Sequence, residues 1–335
     1  MMSETQRVRS YGFLGLDLRV SCSETVAESL DSRFRLFSAA SKASETISLD
    51  FHSVPDASRH CVKRPHEKGR SFYELPSGEA SYFETGDQVY FSFRDGLRAL
   101  GNPGLGSASF SIVESDPVNV FMASHLVLTI LLVEILKRRG CYSMHAAGFS
   151  SDGQAILLSG TSGAGKSTLA VAMLRGGFGY LSDDMVFLRR GPDGLGVLGF
   201  PEDVDVSEQT AGFFPELDFL MHAPKNAGWP KKQLRADEVY GAQAVCQARP
   251  GAIVFPRIAG KATSTVQAMG ADEAFLELVS NVLLTEGRSC QSHLGVLTEL
   301  VNHAPSYRLE TGRDFDRIPF LLRELLSGSC EEMHA

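Results

Sequence analysis

Gly160, Gly165, Lys166 and Ser167 stand at the spacing G-x-x-x-x-G-K-[ST] within Gly-Thr-Ser-Gly-Ala-Gly-Lys-Ser-Thr, 160–168. This pattern, known as Walker A, usually means a loop built to hold phosphates. Small residues let the backbone wrap closely around an anion, with successive N–H groups pointing inward. A helix starting near Ser167 adds the positive end of its dipole. Lys166 would reach the β- and γ-phosphates, and the Ser167 hydroxyl would bind Mg²⁺. Thr161, Ser162, Gly163, Ala164 and Thr168 complete the candidate phosphate-binding set.

A second group follows closely. Asp183 and Asp184 lie about one helix and one turn beyond Lys166. One carboxylate can ligate Mg²⁺, directly or through water, and the other can take a proton from an attacking hydroxyl. Two adjacent carboxylates near a metal and phosphates titrate as a coupled set. His145, in Ser-Met-His-Ala-Ala, precedes the strand that feeds the loop. On its own, a lone histidine reads as a structural residue. The other eight histidines, among them His52, His60 and His66, show no ligand spacing.

The elements around these residues must bring them to one place. Residues 154–160 read as a short apolar strand running into the glycine loop, and 167–174 as a helix. Residues 175–179 read as a tight stop, and 180–190 as a second strand with the two aspartates inside it. Strand, loop, helix, strand is the expected setting of a phosphate loop. A crossover helix of about ten residues is just long enough to return a parallel strand to the same end of the sheet. The carboxylates then emerge beside the loop.

Upstream the pattern is different. Residues 11–20 read as a strand and 25–37 as a helix with Val26, Leu30, Phe34 and Phe37 on one face. Residues 47–51 read as a half-buried strand and 54–70 as a loop with Pro55, Pro65 and Gly69. Residues 72–93 hold three short aromatic strands in an antiparallel meander, and 101–107 form a flexible break. The apolar run 120–136 carries His125 and Glu134, and falls short of the roughly 20 clean apolar residues of a membrane span. It reads as a buried helix ending at Lys137-Arg138-Arg139-Gly140.

The chain has 335 residues, 43% apolar and 21% charged, with a formal net charge of −8. That length suggests about two domains, expected at 1–115 and 116–335. The acidic balance argues against nucleic acid as the main partner. Six cysteines, Cys22, Cys61, Cys141, Cys246, Cys290 and Cys330, show no zinc spacing and read as reduced thiols. The polar N-terminus has no signal-peptide core. The expectation is a cytoplasmic protein with neither membrane nor nucleic acid as partner.

The stretch 143–188, SMHAAGFSSDGQAILLSGTSGAGKSTLAVAMLRGGFGYLSDDMVFL, resembles the nucleotide-binding core of the HPr serine kinase/phosphorylase family. It is most similar to the HPr-kinase-like proteins of peptide-modification clusters. The resemblance rests on His-Ala-Ala before the first strand, the glycine loop with its Lys-Ser, Ser-Asp-Asp after the helix, and the spacing between them. It extends weakly over about 130–325. It implies an α/β fold with a P-loop core like that of phosphoenolpyruvate carboxykinase, preceded by a smaller α+β N-terminal domain.

The resemblance also implies an ATP-dependent kinase using Mg²⁺, with a serine-type hydroxyl of a peptide, protein or small metabolite as acceptor. Carried over by position, Lys166 and Ser167 bind phosphate and Mg²⁺. Asp183 acts as base, Asp184 contacts metal, and His145 orients the acidic pair. Lys231 and Lys232 resemble a basic pair of the cluster-associated relatives, where a lysine can neutralise charge on the transferred phosphoryl group. The family's Glu-Ile-Arg-Gly-like signature has no counterpart in GVLGFPEDVDV, 196–206, where Glu202 and Asp203 are the nearby carboxylates. That departure leaves HPr unassigned as acceptor and supports an alternative, a nucleotide-binding regulatory module with little transfer activity. A regulatory ATPase is a third reading, and it lacks an identified water-positioning residue. HPr kinases assemble into rings, so a homo-oligomer is among the expected partners.

Overall fold

The computed structural model describes residues 6–37, 45–63, 74–75, 78–282 and 287–327. Pro65, His66, Gly69, the Phe-Tyr of the first meander strand, the turn residues Pro76 and Ser77, and Cys330 lie outside these. The protein is mixed α/β with two eight-stranded sheets and a separate two-stranded ribbon. It divides into two compact units, Met1–Arg139 with Lys225–Pro230, and Gly140–Pro224 with Lys231–Ala335. The apolar helical run thus groups with the first unit.

In the first unit, β1 (Arg7–Phe13) and β2 (Leu16–Cys22) are followed by α1 (Glu24–Arg33) and β3 (Thr46–Ser53). The single strand expected over 11–20 is instead a hairpin. Leu14 and Gly15 take φ of 51° and 84°, the left-handed pair that suits a two-residue turn between twisted strands. The helix ends earlier than expected, at Arg33, with Phe34 as its C-cap. The strands β4 (Glu74–Leu75), β5 (Gly78–Thr85), β6 (Gln88–Phe93), β7 (Leu97–Asn102) and β8 (Ser107–Ile112) extend the aromatic meander. The sheet order is β1-β2-β3-β8-β7-β6-β5-β4. The flexible break expected at 101–107 is a tight turn closing β7 on β8. There the Leu105 N–H donates to the Asn102 carbonyl at 3.0 Å, and Gly106 takes φ of 66°.

The helical run consists of α2 (Pro117–Met122), one π turn over 123–127, and α3 (Leu128–Lys137). Asp116 caps its start by accepting from the Val118 N–H at 2.9 Å. Arg33, from α1, donates to the carbonyls of Ser124 and His125 and to the Thr129 hydroxyl, tying α1 to the π turn. Over Pro117–Lys137 the run is long and apolar enough to cross a membrane, yet 78% of its apolar window is buried inside the structure. Its polar exception is also satisfied, since the Lys137 ammonium donates to Glu134 at 3.0 Å with both side chains buried.

The second unit begins with β9 (Cys141–Ser151), β10 (Gln154–Ser159), α4 (Lys166–Arg175), β11 (Gly179–Ser182), β12 (Met185–Gly191) and β13 (Gly194–Leu198). It continues through β14 (Val204–Val206), α5 (Glu208–Ala211), α6 (Asp218–His222), β15 (Lys232–Leu234), α7 (Ala236–Tyr240) and β16 (Gln247–Ile258). Last come β17 (Thr265–Met269), α8 (Ala271–Val279), α9 (Gly287–His303), β18 (Ser306–Thr311) and α10 (Ile318–Leu326). The sheet order is β10-β9-β12-β13-β16-β18-β17, with β11 beside β9 and β10 also parallel to β16.

Both faces of this sheet are covered, and the strand sequences show it. In β10, Ile156 and Leu158 join Leu169 and Met173 of α4 and Leu322 of α10 in one core. Ala155 and Leu157 join Leu278 of α8 and Leu297 of α9 in the other. Alternate residues of a strand face opposite sides, so a strand covered on both faces is apolar throughout.

The sheet sets the position of the motifs. β10 and β11 are both antiparallel to β9 and lie on either side of it, so they run the same way with α4 as the crossover. The second strand expected over 180–190 is interrupted at the two aspartates. β11 pairs with the C-terminal part of β9 through Ser182 opposite Gly148, and β12 with the N-terminal part through Met185 opposite His145. In between, the Met185 N–H donates to the Ser182 hydroxyl at 3.2 Å, and Asp183 and Asp184 stand outside the ladder.

Candidate functional site

The glycine loop leaves β10 at Ser159 and enters α4 at Lys166. Gly163 and Gly165 take φ of 83° and 93°, a region that costs a residue with a side chain. Gly165 is the N-cap of α4, and no side chain caps that end. The first-turn N–H groups of a helix have no partner within the helix. Here they form an uncapped, positively polarised end beside an exposed loop, since Thr161, Ser162 and Gly163 are all exposed. The backbone is closely packed behind it. A Cβ on Gly160 would lie 3.4 Å from the Ala164 Cβ and 3.7 Å from Pro256.

Lys166 is buried, and its ammonium folds back onto the loop, donating to the Gly160 carbonyl at 2.6 Å and the Thr161 carbonyl at 3.4 Å. Burial lowers its pKa, while the nearby negative charge of Asp184 pulls the other way. Ser167 accepts from the Lys231 ammonium at 3.5 Å. Thr168 is engaged elsewhere, its hydroxyl 3.0 Å from that of Thr210 in the α5 turn.

The two aspartates have different environments. Asp183 is buried, and its Oδ2 accepts from the Asp205 backbone N–H at 2.9 Å. Burial pushes its carboxyl up to about 8, and the negative charge of Asp184 adds to the rise. Asp184 turns outward, its side chain 67% exposed, with Oδ1 3.5 Å from His145 Nδ1. Burial holds the His145 imidazole below its ordinary value against the pull of Asp184. One carboxyl is therefore screened from water and proton-retaining, and its neighbour is available to solvent.

Of the expected site residues, Lys166, Ser167, Asp183, Asp184 and His145 come together beside the middle of β9, where β10 and β11 end. Lys231 and Lys232 part company. Lys231 reaches Ser167, and its charge acts on Lys166, His145 and Asp183. Lys232 is buried and donates to the carbonyls of Leu220 and Met221 at 2.6 and 2.7 Å. The Glu202 carbonyl accepts from the hydroxyl of Tyr180, a core residue of β11, at 2.7 Å.

Asp205 is the residue that side-chain motifs miss. It acts through a backbone N–H, which every residue except proline carries, so no residue type marks it. The pairing of β14 with β15 sets Asp205 opposite Gln233.

Among the described residues no three His, Cys, Asp or Glu side chains group as a metal cluster. The oxygen set that is present, the Ser167 hydroxyl and the Asp184 carboxylate, suits a hard cation that takes its remaining ligands from phosphate and water. Cys22, Cys61, Cys246 and Cys290 are free thiols.

No family model matches the chain, and no curated protein matches it. Among solved structures it is distantly similar to the Hpr(Ser) kinase/phosphatase from Coxiella burnetii, at 12% identity over 58% of this chain and 99% of that one, with a TM-score of 0.30.

Proposed function

We propose that the second unit is a cytoplasmic phosphotransferase that passes the γ-phosphoryl group of ATP to a hydroxyl of a peptide, protein or small metabolite. The observation that carries this reading is the meeting of Lys166, at the uncapped start of α4, with a buried carboxyl, Asp183, at the same end of the sheet. A site that only splits ATP has no need of a base screened from water. A site that must select an alcohol over water gains from one.

In this reading the loop N–H groups and Lys166 hold the phosphates, and Lys166 exchanges its loop carbonyls for phosphate oxygens. Lys231 offsets negative charge on the transferring group. Asp183 accepts the proton of the acceptor hydroxyl at Oδ1, since Oδ2 is occupied by the Asp205 N–H. His145 orients Asp184. Mg²⁺, held by Ser167 and Asp184, would supply charge neutralisation at the phosphates.

A second reading has its own support. A carboxyl that keeps its proton near neutrality is a poor base, which favours a nucleotide-binding regulatory module with little transfer. The two are separated by incubating the protein with γ-labelled ATP, Mg²⁺ and fractions of hydroxyl acceptors, with nucleotide binding measured alongside. Label on an acceptor, lost in Asp183→Asn while nucleotide still binds, supports the transferase. Tight binding without label on any acceptor supports the module.

A further inference from the structure

The two-stranded ribbon β14–β15 touches the site at two points. From β14, the Asp205 N–H fixes Asp183 Oδ2 at 2.9 Å. Immediately before β15, Lys231 reaches Ser167 at 3.5 Å. The ribbon is seated on the core by Val204, Val206 and Leu234, all fully buried. Its strands hold one register, with Val206 opposite Lys232 and Asp205 opposite Gln233. The hydrogen-bond donor for the acid therefore sits on β14, and the cation for the loop at the entry to its partner strand β15.

Lys232 is the unexplained residue of that element. A buried lysine is costly unless its ammonium is satisfied. This one is satisfied by the last carbonyls of α6, Leu220 and Met221, with Glu208 at 3.8 Å. Lys231 lies at the bend that enters β15, and with Lys232 drawn inward under α6 the Lys231 ammonium reaches the loop at Ser167.

We infer that Lys232 is a positioning residue. Its bonds to the α6 carbonyls fix the end of the ribbon so that Lys231 faces the terminal phosphate of a bound nucleoside triphosphate. The inference rests on the reading of the glycine loop as a phosphate site. It goes beyond that reading by giving the two adjacent lysines unequal and dependent roles.

The test is a double-mutant cycle on Mg²⁺-ATP and Mg²⁺-ADP binding, using the full chain with Lys231→Met, Lys232→Met, Lys232→Arg and the double Met variant. Loss of the Lys231 charge should weaken ATP binding about tenfold and ADP binding much less. Lys232→Met should show the same selective loss, and the double variant no further loss. Lys232→Arg, which keeps a donor for the α6 carbonyls, should retain most of the preference for ATP. Unchanged ADP binding certifies that the loop is folded in each variant.

Independent, multiplying losses would overturn the inference, as would a Lys232→Met protein that binds ATP like wild type. A protein that loses ATP and ADP equally would make Lys232 purely structural and overturn it too. Wild-type protein that binds neither nucleotide would instead overturn the phosphate-site reading, and the inference with it.

Discussion

The backbone N–H of Asp205 donates to Oδ2 of Asp183 at 2.9 Å, across an element boundary that no side-chain motif marks. The bond favours the ionised carboxylate, while burial and the charge of Asp184 favour the protonated acid, and the latter two win. The result is a carboxyl raised to about 8, next to a lysine lowered by its own burial.

Asp183 should therefore make stability depend on pH. An unfolded aspartate titrates at about 4. Because the folded value is raised, the fold prefers the protonated form, and this contribution is complete below about pH 4. It is lost as pH rises through the folded value near 8. Melting in EDTA should show Tm falling between pH 5 and 9 in wild type and a flatter profile in Asp183→Asn. Equal slopes in the two proteins would contradict the assignment.

Two glycines should fail for different reasons. Gly165 has φ of 93°, so Gly165→Ala should cost about 1 kcal/mol in backbone strain, with nucleotide affinity lost along with the loop geometry. Gly148 has an ordinary backbone, but a Cβ there would lie 2.7 Å from Val186 Cγ1 and 3.0 Å from Leu181 Cβ. Gly148→Ala should cost about 1–3 kcal/mol by overpacking where β11 and β12 meet β9. Chemical denaturation measures both, and only Gly165→Ala should weaken nucleotide binding beyond its effect on stability.

In the first unit, the buried pair Glu134–Lys137 gives a test of the α3 packing. Glu134→Ala leaves a buried ammonium without that partner and should destabilise the protein by about 3–5 kcal/mol. The double change Glu134→Leu with Lys137→Leu should recover most of that loss. Urea unfolding of both variants checks the order, and a milder single variant than double would contradict it.

The strand before the loop and the helix after it were legible because each has an unambiguous local pattern. The apolar run and glycines predict 154–160 and 167–174, and the structure has 154–159 and 166–175. The hairpin over 7–22 was not, because its turn uses Leu14-Gly15 in place of an Asn-Gly pair and the apolar alternation runs through it. Strands β7 and β8 were hidden by glycine. Gly101 breaks the β pattern, and a Cβ there would lie 2.9 Å from Leu131 Cδ2, so α3 packs closely over the glycine. At the site, residue types indicated Lys166, the aspartate pair and His145. They did not separate Lys231 from Lys232, because only the direction of the chain before β15 tells which lysine faces the loop.

The most direct measurement of the central claim is the fate of the γ-phosphoryl group when the protein turns over labelled ATP with Mg²⁺ and a serine-containing peptide pool. Wild type should put label on a hydroxyl acceptor in excess over free phosphate, and Lys166→Ala should bind no nucleotide. Asp183→Asn should lose about 10²–10⁴-fold in transfer with nucleotide affinity changed little. Wild-type protein that binds ATP but delivers its phosphate only to water, at a rate unaffected by Asp183→Asn, would contradict the account.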